Sequence, residues 1–362
     1  MTDTLLLDSA RHTTTPAMVC AHHHLYSALA RGMPAPPRQP DTFLSVLEQI
    51  WWRLDAALDL DMIYWSAALG AAEAVMSGTT CIIDHHESPG CIEGSLDAIE
   101  AGCALVGVRV LPAYGVTDRW DNGTLREVTP ATPMSDAARL GLSETENRLR
   151  AGKPTMVGVH AAFTCGDETL RAAADLAERY NVGVHIHVAE GPDDLSAGSR
   201  LAGLSRDNWL IVHAVHLQEH LRGTIVHNPR SNLNNAVGYA RPARFSNPIA
   251  LGTDGIGADM LDEFRLAFVA AKSSDLSTDP TTVWSWLQHA QELFPASRKD
   301  TVRWSYDHMD SPWHLAFSTG VHVRDVHIGG KAVVVDGEPV SFDLQEIRSK
   351  AAEQAARLHA RL

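Results

Sequence analysis

The chain has 362 residues, with 30 Lys plus Arg against 44 Asp plus Glu and a formal net charge of −14. That acidic balance argues against a broad nucleic-acid surface, which needs clustered Lys and Arg, and no run of about 20 apolar residues is present to span a membrane. A hydrophobic share of 45% supplies ample core, so general disorder is excluded.

The first residues, Met1–Leu5, carry no basic segment ahead of an apolar stretch, so no secretory leader is expected. Five Cys (Cys20, Cys81, Cys91, Cys103 and Cys165) without a CxxC pair read as reduced thiols of a cytoplasmic protein. Eight short apolar runs are expected as strands: Met18–Cys20, Thr80–Asp84, Leu105–Tyr114, Thr155–His160, Val182–His187, Trp209–His213, Thr224–His227 and Pro248–Asp254. Helical spacing is expected between them over Leu44–Met76, Cys91–Gly102, Ser135–Ala151 and Asp167–Tyr180. Strand and helix in alternation imply a parallel sheet, and eight such units close most naturally into a (β/α)8 TIM barrel. A doubly wound open sheet is the alternative, weakened because no Gly-rich phosphate loop follows the first strand. The dense prolines of Pro34–Pro40 predict a loop, as do Ser88–Gly90 and Asp118–Pro133. Past the barrel, Val321–Val340 reads as a hairpin turning at Gly329-Gly330, and Leu344–Leu362 as a helix. The expected division is a remnant strand in residues 1–17, a barrel in 18–300, and strands plus a helix in 301–362.

The chain holds 19 His, several of them clustered at strand ends. His22-His23-His24 follows the first strand, Asp84-His85-His86 the second, and His160 the fourth. His185-Ile186-His187 ends the fifth with Glu190 beyond it; His213, His227 and Asp254 end the last three. In a parallel barrel these ends share one face, where active sites form. Polar side chains converging there need a compensating partner, and a metal is the economical one. Imidazole and carboxylate suit zinc or ferrous iron. Alternation along an extended strand puts His22 and His24 on one face with His23 elsewhere. His185 is placed opposite His187 and read as a core or supporting group.

Five segments carry a family resemblance: Ala21–Met33, Val184–Glu190, Leu210–Leu217, His227–Asn232 and Leu251–Gly255. Their pattern resembles the amidohydrolase superfamily, in its cytosine/guanine deaminase and chlorohydrolase branch, and most closely the SsnA-type aminohydrolases. The resemblance implies one divalent metal per chain, zinc foremost and iron as the alternative. Its ligands would be His22, His24, His187 and Asp254. Because His160 stands where binuclear relatives carry a bridging Lys, it favours a mononuclear site. Glu190 matches the deaminase acid and His213 the histidine beside the attacking water. His160, Arg230 and Asn232 match substrate-facing positions.

The chemistry follows from the residue types as well. A bound divalent ion makes hydroxide available near neutral pH. Asp254 can take the water's proton, Glu190 can protonate the substrate nitrogen and then the departing ammonia, and His213 can steady the attacking oxygen. His86 is favoured over packing as a pocket residue, and Phe163 is the preferred stacking group. Trp51, Trp52, Tyr64 and Trp65 are read as core. Cys165 is read as a packed thiol. The β-sandwich that usually accompanies such barrels is reduced, with Thr4–Asp8 as one surviving strand. The barrel surface left uncovered predicts a homodimer. The expected function is deamination of a small N-heterocycle or guanidine-containing compound. The alternatives are cyclic-amide ring opening, hydrolysis of a chloro-substituted heterocycle and, last, an inactive metal-binding scaffold. The expected partner is a small molecule, with neither nucleic acid nor membrane.

Overall fold

The computed structural model describes residues 13–121 and 123–362. In chain order the strands are β1 (Thr14–Pro16), β2 (Met18–His23), β3 (Thr79–His86), β4 (Arg109–Val116), β5 (Trp120–Asp121), β6 (Thr124–Leu125), β7 (Met156–Ala161), β8 (Val184–Val188), β9 (Leu210–His213), β10 (Thr224–His227), β11 (Ile249–Leu251), β12 (Thr301–Trp304), β13 (Val323–Ile328), β14 (Lys331–Val335) and β15 (Glu338–Pro339). The helices are α1 (Phe43–Val46), α2 (Trp52–Ala57), α3 (Leu60–Met76), α4 (Ser95–Val106), α5 (Asp136–Arg150), α6 (Asp167–Tyr180), α7 (Ala197–Leu201), α8 (Pro229–Asn234), α9 (Met260–Ser274), α10 (Pro280–Leu293), α11 (Pro312–Phe317) and α12 (Leu344–His359).

Eight strands run parallel in the order β2-β3-β4-β7-β8-β9-β10-β11. The ring is closed by backbone bonds rather than a full ladder. Thr253 N and Asp254 N donate to His22 O at 2.9 and 3.1 Å, and His24 N donates to Asp254 O at 3.3 Å. The result is the expected (β/α)8 barrel. Val19, Ala21, Cys81, Ile83, Ala113, Leu210, Val212, Val226 and Ala250 fill its interior, while Ile82, Ile186, Ile211 and Ile225 pack outward in the larger cluster that includes helix residues. The helices read as their spacing dictates. In α6, Thr169, Leu170, Ala173, Leu176 and Ala177 form the buried stripe. Ser135 caps α5 by accepting from Ala138 N at 3.0 Å.

Three expected elements change. Leu105 belongs to α4, so the third barrel strand starts only at Arg109. The eighth strand stops at Leu251, leaving Asp254 beyond it at positive φ in an isolated parallel bridge to His23. Leu44–Met76 is broken: a π turn at Leu47–Trp51 separates α1 from α2, and Leu58 ends α2 before α3 begins. That break turns Trp51 and Trp52 toward the barrel mouth, where both line the cavity instead of joining only the core.

A five-stranded antiparallel sheet, β1-β12-β13-β14-β15, stands beside the barrel. Thr14–Pro16 supplies its N-terminal strand by pairing with Thr301–Arg303; the expected strand at Thr4–Asp8 lies outside the described residues. Among the described residues no helix is long and apolar enough to cross a membrane.

Gly158 on β7 is required by close approach. A Cβ there would stand 2.3 Å from Tyr114 O and 2.5 Å from Tyr114 C on the neighbouring strand. Backbone cannot yield as a side chain does, so Gly158→Ala is expected to destabilise the fold by at least ~1–3 kcal/mol. Urea titration of wild type and variant measures it, and equal midpoints would contradict the close approach.

Candidate metal centre and active-site cavity

Four side chains converge at the C-terminal mouth of the barrel. Donor atoms of His22, His24, His187 and Asp254 all lie within 4.8 Å of one another. A register shift between Cys20 and His23 on β2 breaks simple alternation. It carries the face of His22 and His24 to the centre, where alternation from the inward-facing Val19 and Ala21 would have put His23; within the triplet His22 and His24 share a face as expected, and His23 turns aside, its Nδ1 3.1 Å from Thr253 Oγ1.

Each imidazole is oriented through its far nitrogen. His24 Nδ1 donates to His85 O at 2.6 Å, and His187 Nδ1 donates to His160 O at 2.7 Å. A carbonyl only accepts, so in the neutral form that could bind a metal these rings carry their protons on Nδ1 and aim Nε2 lone pairs inward. Those two Nε2 atoms stand 3.2 Å apart, a distance at which two acceptors repel. His22 Nδ1 lies 2.8 Å from His185 Nε2, and its buried Nε2 has no hydrogen-bond partner. Asp254 Oδ1 closes the set, 2.9 Å from His24 Nε2 and 3.4 Å from His22 Nε2. Burial, with the neighbouring imidazoles, holds His22 and His187 well below the usual imidazole range. Burial also opposes charge on His24, yet Asp254 outweighs it and lifts that ring to about 9. A proton on His24 thus answers the Asp254 carboxylate at the place where a cation would stand, and three nitrogens with one carboxylate oxygen fit a zinc or ferrous ion.

A second set adjoins the first. Glu190 Oε2 is 3.4 Å and Asp254 Oδ2 is 3.9 Å from His213 Nε2. His213 Nδ1 is 2.8 Å from Asn232 Oδ1. Asn235 Nδ2 reaches Glu190 Oε1 at 3.4 Å. The second oxygen of Asp254 accepts from the Ser231 hydroxyl. Burial pushes the Glu190 carboxyl up to about 7, with His213 pulling it down and Asp254 pushing it further up. Ala189, His213, Ala214 and Asp254 all adopt positive φ, between 47° and 68°. This cluster of non-glycine residues in a sparsely populated region is the kind of strain a functional mouth stores. At His213 it redirects a side chain that strand alternation after Val212 would send outward. Asp194 couples the two neighbouring loops, its carboxylate accepting from Phe163 N at 2.9 Å and from Ala189 N at 2.8 Å.

Both sets adjoin one cavity, about 870 Å3 of empty space when its open mouth is counted. His160 and Phe163 line it. Three other expected pocket residues stand elsewhere. Arg230 turns to α9, where it pairs with Asp262 and Glu263. Asn232 is buried behind His213. His86 is buried against Ser88, 2.9 Å from its Oγ, and it is His85 that faces the cavity. His185 is also corrected. Two residues from His187 it shares that inward face, one layer deeper, where it backs His22. His227 packs outward against Tyr239 and Trp286. Cys165 is a packed thiol whose Sγ lies 3.3 Å from Val116 O. Ser231, Asn234 and Asn235 line the cavity without having been anticipated. The signal was Pro229 at the start of a helix: from it, positions 231, 234 and 235 share one face.

Known proteins carry the same architecture. The sequence is 26% identical over 400 residues to a 5'-deoxyadenosine deaminase of Methanocaldococcus jannaschii, covering 96% of this chain and 89% of the relative. A 5'-deoxyadenosine deaminase of Methanopyrus kandleri is 27% identical over 396 residues, with 95% and 86% covered. A zinc-bound adenosine deaminase structure from Xanthomonas campestris superposes with a TM-score of 0.80 at 22% identity, covering 96% of this chain and 86% of that one. Zinc-bound atrazine chlorohydrolase from Arthrobacter aurescens gives 0.76 at 19%, covering 94% and 88%. The sequence model of the amidohydrolase family matches residues 13–291, well over half the chain. The chain therefore belongs to the amidohydrolase family, and its mouth carries the donor set of a metal-dependent hydrolase.

Proposed function

We propose that the protein is a zinc-dependent aminohydrolase that releases ammonia from an amidine-type carbon of a small N-heterocycle or guanidine-containing compound. Within the family the SsnA-type aminohydrolases are the proposed subgroup. The observation that carries the reading is the meeting of Glu190 and His213 at Asp254, itself one of the four candidate ligands, with Glu190, Asp254, His24 and His187 lining one cavity. Deaminases among the sequence relatives support the same reaction type.

His22, His24, His187 and Asp254 would hold the ion, which when bound supplies Lewis acidity and makes water acidic near neutral pH. Asp254, steadied by Ser231, accepts a proton through Oδ2. His213, braced by Asn232, holds the attacking oxygen. Glu190 is buried and protonated more readily than an ordinary carboxyl, so it can give a proton to the substrate nitrogen and hand one to the leaving amine. His160 and Phe163 present a ring and an edge to a flat substrate.

The test is ammonia release by metal-quantified protein across aminated pyrimidines, purines, triazines and cyclic guanidines. About one metal per chain and ammonia from one compound class are expected. Bound metal without ammonia would move the reaction to ring opening or dechlorination, read by mass change. Protein that binds no metal would overturn the site. A homodimer belongs to the same proposal, and light scattering that gives a monomer removes it.

A further inference from the structure

The cavity has a second polar end that the proposed chemistry leaves unused. Asp55 of α2, Glu87 just past β3 and Arg119 beyond β4 meet there, exposed by 2%, 3% and 1%. Arg119 Nη2 donates to Glu87 Oε2 and lies 3.3 Å from Asp55 Oδ2, while Nη1 is 3.3 Å from Glu87 Oε1. The guanidinium is fixed over Trp52, its Cζ 4.6 Å from the ring centroid. Gly115 makes room for this arrangement, since a Cβ there would stand 2.4 Å from His85 Cε1 and 2.9 Å from Glu87 Cγ.

Two carboxylates share one cation, so the ionised cluster carries one surplus negative charge. Asp55 Oδ1 is buried without a hydrogen-bond partner, and Asp55 and Glu87 both line the cavity. Burial and the adjacent Glu87 push the Asp55 carboxyl well up although Arg119 pulls it down, so a second cation would favour its ionised form. Phe43, Trp51, Trp52 and Phe163 give the same cavity flat apolar walls. Ring contacts tie this end to the metal centre: the Trp52 centroid is 6.4 Å from that of His160, which is 5.4 Å from that of His187. A buried acid with a free oxygen between aromatic walls suits a planar, delocalised cation.

We propose that Asp55 and Glu87, braced by Arg119, form a subsite that holds a guanidinium or amidinium group of the substrate beside Trp52, in the part of the cavity that these two acids line. The word substrate rests on the functional reading above, but the binding itself does not. The substrate then carries two nitrogen-rich ends, one presented to Glu190 and His213 and the other to Asp55.

The experiment is calorimetric binding of phenylguanidinium and of its neutral isostere phenylurea to the full chain, with metal and after chelation. The guanidinium is expected to bind at least ~10-fold tighter, as a charge-assisted contact requires, in both metal states. Asp55→Asn is expected to abolish that preference. Glu87→Gln, compared at matched near-ultraviolet circular dichroism, is expected to weaken it if Asp55→Asn fails to fold. Equal affinity of the two probes for wild type, or a preference undiminished in either folded variant, would overturn the subsite. Absence of metal or ammonia release with the preference intact would overturn the functional reading alone.

Discussion

Replacing Asp254 with Ala is expected to strip the metal and reduce ammonia release by more than ~10⁴-fold, beyond the 10²–10⁴ that loss of a general acid or base costs. The side chain has two duties in the geometry. Its Oδ1 closes the ligand set against His22 and His24, and its Oδ2 faces His213 and takes the Ser231 hydroxyl. Removing it leaves three converging imidazoles with no counter-charge in a buried site, where a dication is poorly held. The variant also meets a backbone constraint, because Asp254 sits at φ 56°. Asn tolerates that conformation better than Ala. Asp254→Asn therefore separates the chemistry from the strain: it is expected to fold nearer to wild type yet to lose comparable activity. Metal analysis beside a thermal melt measures both effects. A folded Asp254→Ala protein that keeps its metal would remove Asp254 from the ligand set.

Glu190→Gln is expected to keep the metal and lose about 10²–10⁴-fold in kcat. Glu190 touches the centre from outside the ligand set, through His213 at 3.4 Å. The amide keeps the shape and the bond from Asn235 can be re-made, but the proton is gone. A group acting as proton donor is competent below its pKa, so wild-type activity falls as pH rises through the ionisation of Glu190. That alkaline limb is expected to vanish in the variant, leaving a low rate that is flat there. Full activity in Glu190→Gln would instead favour a leaving group that needs no proton, such as chloride.

How much of this was readable in advance depended on whether a feature was local. Strand-end His and Asp residues were legible because one barrel face gathers them whatever the loops do, and the helices followed their own periodicity. Single-residue orientation was less legible where the backbone departs from ideal strand. Within His22–His24 alternation gave the right pair, but the shift between Cys20 and His23 sets which face that pair takes relative to Val19 and Ala21, and the positive φ at His213 redirects a side chain that alternation would send outward. His185 is the opposite case: alternation held, and a two-residue step means the same face. Arg230 was misplaced because its stretch forms a helix whose side chains fan out to different neighbours. The Asp55–Glu87–Arg119 cluster left no trace, since three separate segments supply one residue each and no motif links them.

The seam of the barrel has a mechanical consequence. The backbone of the first strand's end is tied to that beyond the last by bonds of His22 and His24 with Thr253 and Asp254, and three of these residues offer three of the four candidate metal-binding side chains. An ion gripped there buckles the two ends of a belt whose loop is nearly the whole barrel, and the entropy of that closure is large. The buckle and the reactive centre are one object, so the belt is fastened wherever the chemistry is ready.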